Sequence, residues 1–313
     1  MLSNFTVAAE AVLPMFCIMA VGILIRKRNL VSEDDVRHLN KMTFMVFFPI
    51  LMFSNLYGQN IAGVISGKLI AFGIVAILII FGITTLFVVR TEKNPKTRGA
   101  MIQAIYRSNF VIMGIPIVSN IFGSENLALT SVMITVIVPI YNVLAVITLE
   151  IFRGGKVSFS HIVVNILKNP LIIGAIAGIV SVVIGLKVPA FLEKTIESMA
   201  AVATPMALLM LGASFDISSL ARCKKDLLLC VIGKLIIVPA IGLSTGALLG
   251  FRGVAMVTLI AIFASPTAVS SYPMAQQMES DDELAGNAVI FSSLFSCVTM
   301  FMWIFLLKCM GFF

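Results

Sequence analysis

Long apolar runs alternate along the chain with short polar connections, and the runs recur at roughly the 17 to 25 residues a helix needs to cross a bilayer. Ten such segments are predicted, at about 5–25, 42–56, 69–89, 100–122, 128–151, 171–185, 196–215, 227–249, 254–274 and 285–307. The second and sixth are short, which implies amphipathic extensions before them or a thinned bilayer around them. In the longest hydrophilic stretch, Arg26 to Lys41, Leu30, Val36 and Leu39 alternate with Glu33, Asp34, Asp35 and Arg37. A short interfacial helix is predicted there, capped by Ser32 with Asp35 three residues on.

The pattern is written twice. Pro14, Pro49 and Pro116 recur as Pro170, Pro205 and Pro273 at offsets of 156, 156 and 157 residues. Leu13-Pro14 to Gly22-Ile23 reads against Asn169-Pro170 to Gly178-Ile179, and Ala104-Ile105-Tyr106 against Ala261-Ile262-Phe263. Two five-span repeats are expected, residues 1–156 and 157–313. Because five is odd, the second copy enters the membrane from the opposite side, so the repeats are inverted.

Composition makes the bilayer the solvent, with 59% of residues hydrophobic and 12% charged. If the N-terminus is outside, 15 of the 22 lysines and arginines fall in the odd-numbered connections. The other side holds only Lys68, Lys187, Lys194, Arg252 and Lys308. The positive-inside rule therefore predicts a multi-pass protein of the cell inner (plasma) membrane with both termini on the non-cytoplasmic side. The net charge of +7 then reports cytoplasmic loops and not a nucleic-acid partner. No basic region precedes the first segment and no small-residue cleavage site ends it, which argues against a signal peptide. The five cysteines have no paired or metal-ligand spacing and read as small apolar residues.

Two spans carry breaks at the same repeat position. The fourth contains Gly114 and Pro116, and Pro116 removes a backbone donor and crowds the carbonyl of residue 112, so the helix is expected to open there. Its counterpart in the ninth span, Ser265-Pro-Thr-Ala-Val-Ser-Ser-Tyr-Pro273, is too polar to face lipid. Freed backbone groups in hydrocarbon cost several kcal/mol each unless they line a cavity or are buried in protein. Paired broken helices therefore point to a substrate site, and their N-terminal ends favour an anion such as a carboxylate. Substrate-binding candidates are Asn109, Gly114, Pro116, Asn120, Ser265, Thr267, Ser270, Ser271, Pro273 and Asn142. Arg107 and Lys234 join them as intramembrane cations able to attract an organic anion. Glu10 and Glu150, near span ends, are expected at the interface. Pro49 and Pro205 have apolar neighbours and read as kinks in a structural wall.

Three functions compete. The favoured one is a secondary active or facilitated transporter of a small organic anion, with no cofactor and no ATP-binding motif. A sodium/proton antiporter or ion-coupled symporter of the same fold would need midplane carboxylates, and the broken spans and spans 3 and 8 carry none there. An intramembrane enzyme is remote, because the chain has only His38 and His161, neither in a span, and no metal-binding or aspartyl-pair motif.

At the fourth and ninth spans the sequence resembles the auxin efflux carrier family. Asn109-Phe-Val-Ile-Met-Gly-Ile-Pro116 with Phe122-Gly123 is similar to the plant carriers' Asn-Thr-Leu-Val-Met-Gly-Ile-Pro and following Tyr-Gly. Ala288-Val-Ile-Phe291 is similar to their Ala-Val-Ile-Phe. The long plant loop is absent, as in bacterial malate or malonate permease-like members. The resemblance implies an all-α membrane fold of ten transmembrane helices, an inverted 5+5 repeat with crossed broken helices 4 and 9, related to sodium/proton antiporters and bile-acid symporters. It also implies a homodimer, a scaffold of spans 1, 2, 6 and 7, and a transport unit of spans 3–5 and 8–10 moving by an elevator-type step. A substrate-binding asparagine maps onto Asn109. The substrate would be a malate-like dicarboxylate or an auxin-like acid, although Leu69 to Val89 lacks the plant carriers' acidic residue.

Overall fold

A computed structural model describes residues 2–57, 67–153, 159–216 and 218–313. The expected boundary between repeats, at 156/157, lies outside them. The described residues form fifteen α-helices: α1 (Leu2–Lys27), α2 (Glu33–Met42), α3 (Phe48–Leu56), α4 (Gly67–Thr91), α5 (Pro95–Tyr106), α6 (Phe110–Phe122), α7 (Ala128–Ile151), α8 (Phe159–Leu167), α9 (Pro170–Val183), α10 (Ala190–Ala213), α11 (Ser219–Ile232), α12 (Val238–Leu248), α13 (Gly253–Ala264), α14 (Ser271–Gln277) and α15 (Asp282–Cys309). No strand occurs among the described residues. Among the described residues seven helical stretches are long and apolar enough to cross a membrane, and α9 and α13 are shorter apolar helices.

The predicted capped helix forms as α2 and runs without a break through the turn Thr43–Phe47 into α3, so that Glu33–Leu56 is one stretch long enough to span. Ser32 accepts from the amide of Asp35, and the Asp35 carboxylate accepts from the amide of Ser32, closing a capping box. Glu150, next to the last residue of α7, is 4% exposed and held by Asn165. The side chain of Glu10 lies outside the described residues.

Two proline sites are relieved by π-helical turns, Thr43–Phe47 before Pro49 and Gly233–Ile237 before Pro239. The wider turn moves the carbonyl four residues back away from the proline ring. At the second site that carbonyl belongs to Leu235, and Trp303 Nε1 donates to it at 3.0 Å in place of the missing proline N–H. Pro205 sits inside a continuous α10.

Helix α1 packs on α10 and α3 on α9, both at backbone distance. A Cβ on Gly22 would lie 2.1 Å from the Leu209 carbonyl oxygen, and one on Gly212 would lie 2.1 Å from that of Met19. A Cβ on Gly178 would lie 2.8 Å from Leu56 Cβ. Gly178 and Gly212 follow Gly22 and Leu56 by the same 156 residues. The contact between the first pair of helices is thus repeated, at matching positions, in the second.

The breaks fall elsewhere than the prolines suggest. In the fourth segment α5 ends at Tyr106 and α6 begins at Phe110, while Pro116 lies inside α6. Ser108 and Asn109 offer the backbone alternative partners and so favour an interruption. Pro116 stands with Ile115 on the exposed face of α6, away from the packed core. In the ninth segment Pro266 ends the helix, since a residue before proline is driven extended, and Ser265 has φ −62° and ψ 151°. Pro273 occupies the third position of α14, where its absent N–H would have had no intrahelical partner.

Candidate functional site

The two interruptions hold each other. The amide of Asn109 donates to Pro266 O at 2.8 Å, and Thr267 Oγ1 donates to Ala104 O at 2.8 Å. Gln103 Nε2 donates to Ser271 O at 3.2 Å, and the Thr267 amide to Ser292 Oγ at 3.0 Å. The last carbonyls of α13 are also satisfied. Ala261 accepts from Ser265 Oγ at 2.5 Å, Ile262 from Tyr141 OH at 3.3 Å and Phe263 from Lys234 Nζ at 3.4 Å. Helix ends that would be costly in hydrocarbon are therefore closed by side chains.

Against this crossing lies a cavity of about 90 Å³. On one wall are Arg107, Ser108, Asn109 and the first turn of α6, with Ala268 to Ser270 beside them. Tyr141 and Asn142 of α7, Thr204 of α10, and Phe48, Leu51, Met52 and Asn55 of α3 close the rest. Met113 is the first residue of α6 whose amide reaches back one turn, to Asn109 O at 3.3 Å. The amides of Phe110, Val111 and Ile112 are the orphan donors of a helix start. The other half-helix differs, because Ser271 and Tyr272 donate to Ala268 and Val269 and Pro273 has no donor. The expected pair of anion-attracting helix ends is therefore one-sided, and α6 supplies it.

Arg107 is 2% exposed. Its guanidinium donates to Asn142 Oδ1, to Ser270 Oγ at 2.7 Å, to Met274 Sδ at 2.9 Å and to Ser271 Oγ at 3.5 Å. All four partners are neutral, and among the described residues no carboxylate lies within 4.0 Å of it. Asn142 is fixed in turn by donating to Val138 O at 2.9 Å and Met52 Sδ at 3.0 Å. Three polar atoms around the cavity, Ser108 Oγ, Asn109 Nδ2 and Asn55 Nδ2, are buried without a partner within the protein. A buried unmet donor costs about 1–3 kcal/mol. The wall is thus rich in donors and carries one uncompensated positive charge.

The structure brings Arg107, Asn109, Asn142 and Ser270 to this cavity and Ser271 against Arg107. Ser265 closes the end of α13, and Thr267 ties the two interruptions together. Gly114 packs against Phe110 and Thr130, Pro116 and Asn120 lie on the exposed face of α6, and Pro273 is buried in α14. Lys234 is fully buried in the π-helical turn and is not among the cavity residues. Sequence reasoning missed Ser108, Met52, Asn55 and Thr204. The spacing 48, 51, 52, 55, one face of a helix, was the available signal.

A larger cavity of about 480 Å³ is bordered by Arg26, Arg37, Arg222, Asp282, Tyr272 and Gln276. Most of its charges are paired: Arg37 with Glu33 at 2.8 Å, and Arg222 with Glu283 at 2.8 Å and Asp216 at 3.7 Å, while Arg26 donates to Val31 O at 3.0 Å and Asp282 accepts from Gln276 at 3.1 Å. Size alone would favour it as the ligand site, but the unmet donors and the buried arginine with only neutral partners belong to the smaller one.

Comparison with known proteins agrees with a membrane carrier. An uncharacterized transporter of Methanothermobacter thermautotrophicus is 23% identical over 305 residues, covering 96% of this chain and 98% of that one. An uncharacterized transporter of Methanocaldococcus jannaschii is 22% identical over 310 residues, covering 94% and 97%. The model of the membrane transport protein family matches residues 7–304. With nearly its whole length matched, the chain belongs to this auxin efflux carrier-like family of membrane transport proteins.

Proposed function

We propose that the protein is a secondary transporter of a small organic anion, bound at the start of α6 beside Arg107. One observation carries this reading. A buried arginine with only neutral partners shares a cavity with unmet donors from Ser108 and Asn109. An intramembrane cation is costly and wants a counter-charge, and a bound carboxylate supplies both that charge and the missing acceptors. Among the described residues no carboxylate lines this cavity, which weighs against sodium/proton antiport. The reading contains no catalytic step.

The recurrence of the Gly22 and Gly178 contacts at one offset supports ten spans arranged as an inverted 5+5 repeat. In that arrangement α1, α3, α9 and α10 form the scaffold, a second copy docks on it, and the crossing moves with the remaining spans as an elevator. Both termini then lie outside a plasma membrane, and the larger cavity, flanked by Arg26, Arg37 and Arg222, is the aqueous approach from the cytoplasm.

Counterflow in proteoliposomes tests the function. Vesicles preloaded with unlabelled malate should accumulate radiolabelled malate, and Arg107→Gln should abolish the uptake. Equal uptake by Arg107→Gln, or a sodium-driven pH change without counterflow, would overturn the reading.

A further inference from the structure

Helix α3 is apolar from Phe48 to Phe53, and Phe48, Leu51 and Met52 present that character to the cavity. Asn55 continues the same face one turn on and is its sole hydrogen-bonding side chain at the cavity. Its Nδ2 is buried with no partner within the protein. Most of the polar cavity residues on other elements have a structural reason to be there: Arg107, Ser108 and Asn109 form the break, Asn142 and Ser270 hold Arg107, and Tyr141 closes the end of α13. Asn55 forms no part of the break or of the Arg107 contacts. A buried amide without a partner is unfavourable on an apolar helix unless something that enters the cavity accepts from it.

We infer that Asn55 is a specificity-determining residue that hydrogen-bonds a second oxygen acceptor on the transported anion. This rests on the anion site proposed above. One end of the ligand, a carboxylate, is held by Arg107 and the start of α6. The other end, reaching the wall formed by α3, carries a hydroxyl, carbonyl or further carboxylate oxygen. A simple fatty acid fills the same space but leaves the Asn55 amide unmet. A site built around a hydrogen bond discriminates against the analogue lacking it far more strongly than an apolar site discriminates by size.

The test uses purified full-length protein in detergent and three four-carbon acids that differ only in the far end: butyrate, 4-hydroxybutyrate and succinate. The wild type should bind 4-hydroxybutyrate and succinate at least about tenfold more tightly than butyrate, the gain expected of one hydrogen bond in a buried site. Asn55→Leu should erase that preference and leave butyrate unchanged. Asn55→Asp separates the two acceptors: the hydroxyl can donate to the new carboxylate and is retained, whereas succinate is repelled. If Asn55→Leu loses its thermal transition, Asn55→Ser, which is shorter and adds no apolar bulk, replaces it. A preference that survives the loss of Asn55, or an equal loss for all three acids, overturns the role of Asn55 alone. A wild type that binds none of the three overturns the anion site and this inference with it.

Discussion

The backbone amide of Asn109 donates to the carbonyl of Pro266 at 2.8 Å, so the start of one half-helix is fastened to the end of another from the opposite half of the chain. Arg107 lies two residues before that bond and reaches Ser270, four residues after Pro266, at 2.7 Å. The guanidinium is thus positioned by both interruptions at once. Arg107→Met keeps most of the volume and removes the charge. Anion affinity should fall by about 1.5–3 kcal/mol, the range for hydrogen bonds to charged groups, while thermal stability holds or rises because a buried, unpaired charge is gone. Calorimetric binding read beside a melting curve checks both, and unchanged affinity would remove Arg107 from the site.

Lys234 is separated from that chemistry by its place in the π-helical turn, where its ammonium donates to Phe263 O at 3.4 Å at the end of α13. A cation there complements the negative end of the helix. Lys234→Met should leave anion affinity within about threefold, whereas Lys234→Ala opens a cavity and should cost about 2 kcal/mol or more of stability. A tenfold loss of anion affinity in Lys234→Met would show that its charge is felt at the site.

The glycines divide by what surrounds them. Gly212→Ala forces a Cβ to 2.1 Å from Met19 O and should destabilise by about 1–3 kcal/mol or more. Gly82, inside α4, has nothing within 4 Å of such a Cβ, so Gly82→Ala should stabilise by about 0.5–1 kcal/mol through helix propensity. Thermal melts of the two proteins should move in opposite directions.

Ser32→Ala removes one half of the capping box that starts α2 and should cost about 1 kcal/mol. Faster hydrogen exchange confined to residues 33–36, with the rest of the chain unaffected, is the expected signature.

At the surface, Arg153 donates to Glu279 at 2.7 Å. The side-chain hydrogen bond from Arg153, followed by its charge, holds the Glu279 carboxyl below the ordinary carboxylate range. A group whose pKa is lowered by folding stabilises the fold above its unfolded value and loses that contribution as pH falls through its folded one. The pair should therefore help at neutral pH and fade below about pH 4. Both residues are substantially exposed, so Glu279→Gln should cost no more than about 1 kcal/mol at pH 7, and wild type and variant should converge in melts at pH 3.

Much of this architecture was legible in the chain. The 156-residue offset anticipated the recurring helix contacts, and Ser32 with Asp35 anticipated the capped α2. The positions of the breaks were not legible from proline alone, because proline's effect depends on its place in a helix. Pro266 ends one, Pro273 begins one, and Pro116 rides on an exposed face. Asn109, Arg107, Asn142 and Ser270 reached the cavity as their polarity suggested, whereas Asn120 shared that polarity but lies one turn past Pro116 on the outer face. Asn55 was hidden by its neighbours, since an amide at the end of an apolar helix reads as a terminus until the opposing wall is known.

The close approach of Gly22 and Gly212 also limits how α1 can change. Each helical residue advances the azimuth by about 100°, so inserting or deleting one residue just before Gly22 would turn a larger side chain toward Leu209. Substitutions elsewhere on α1 alter its greasiness but not its reach. The register of α1 against α10 is therefore fixed at this contact, and a sliding of one helix along the other would have to break it.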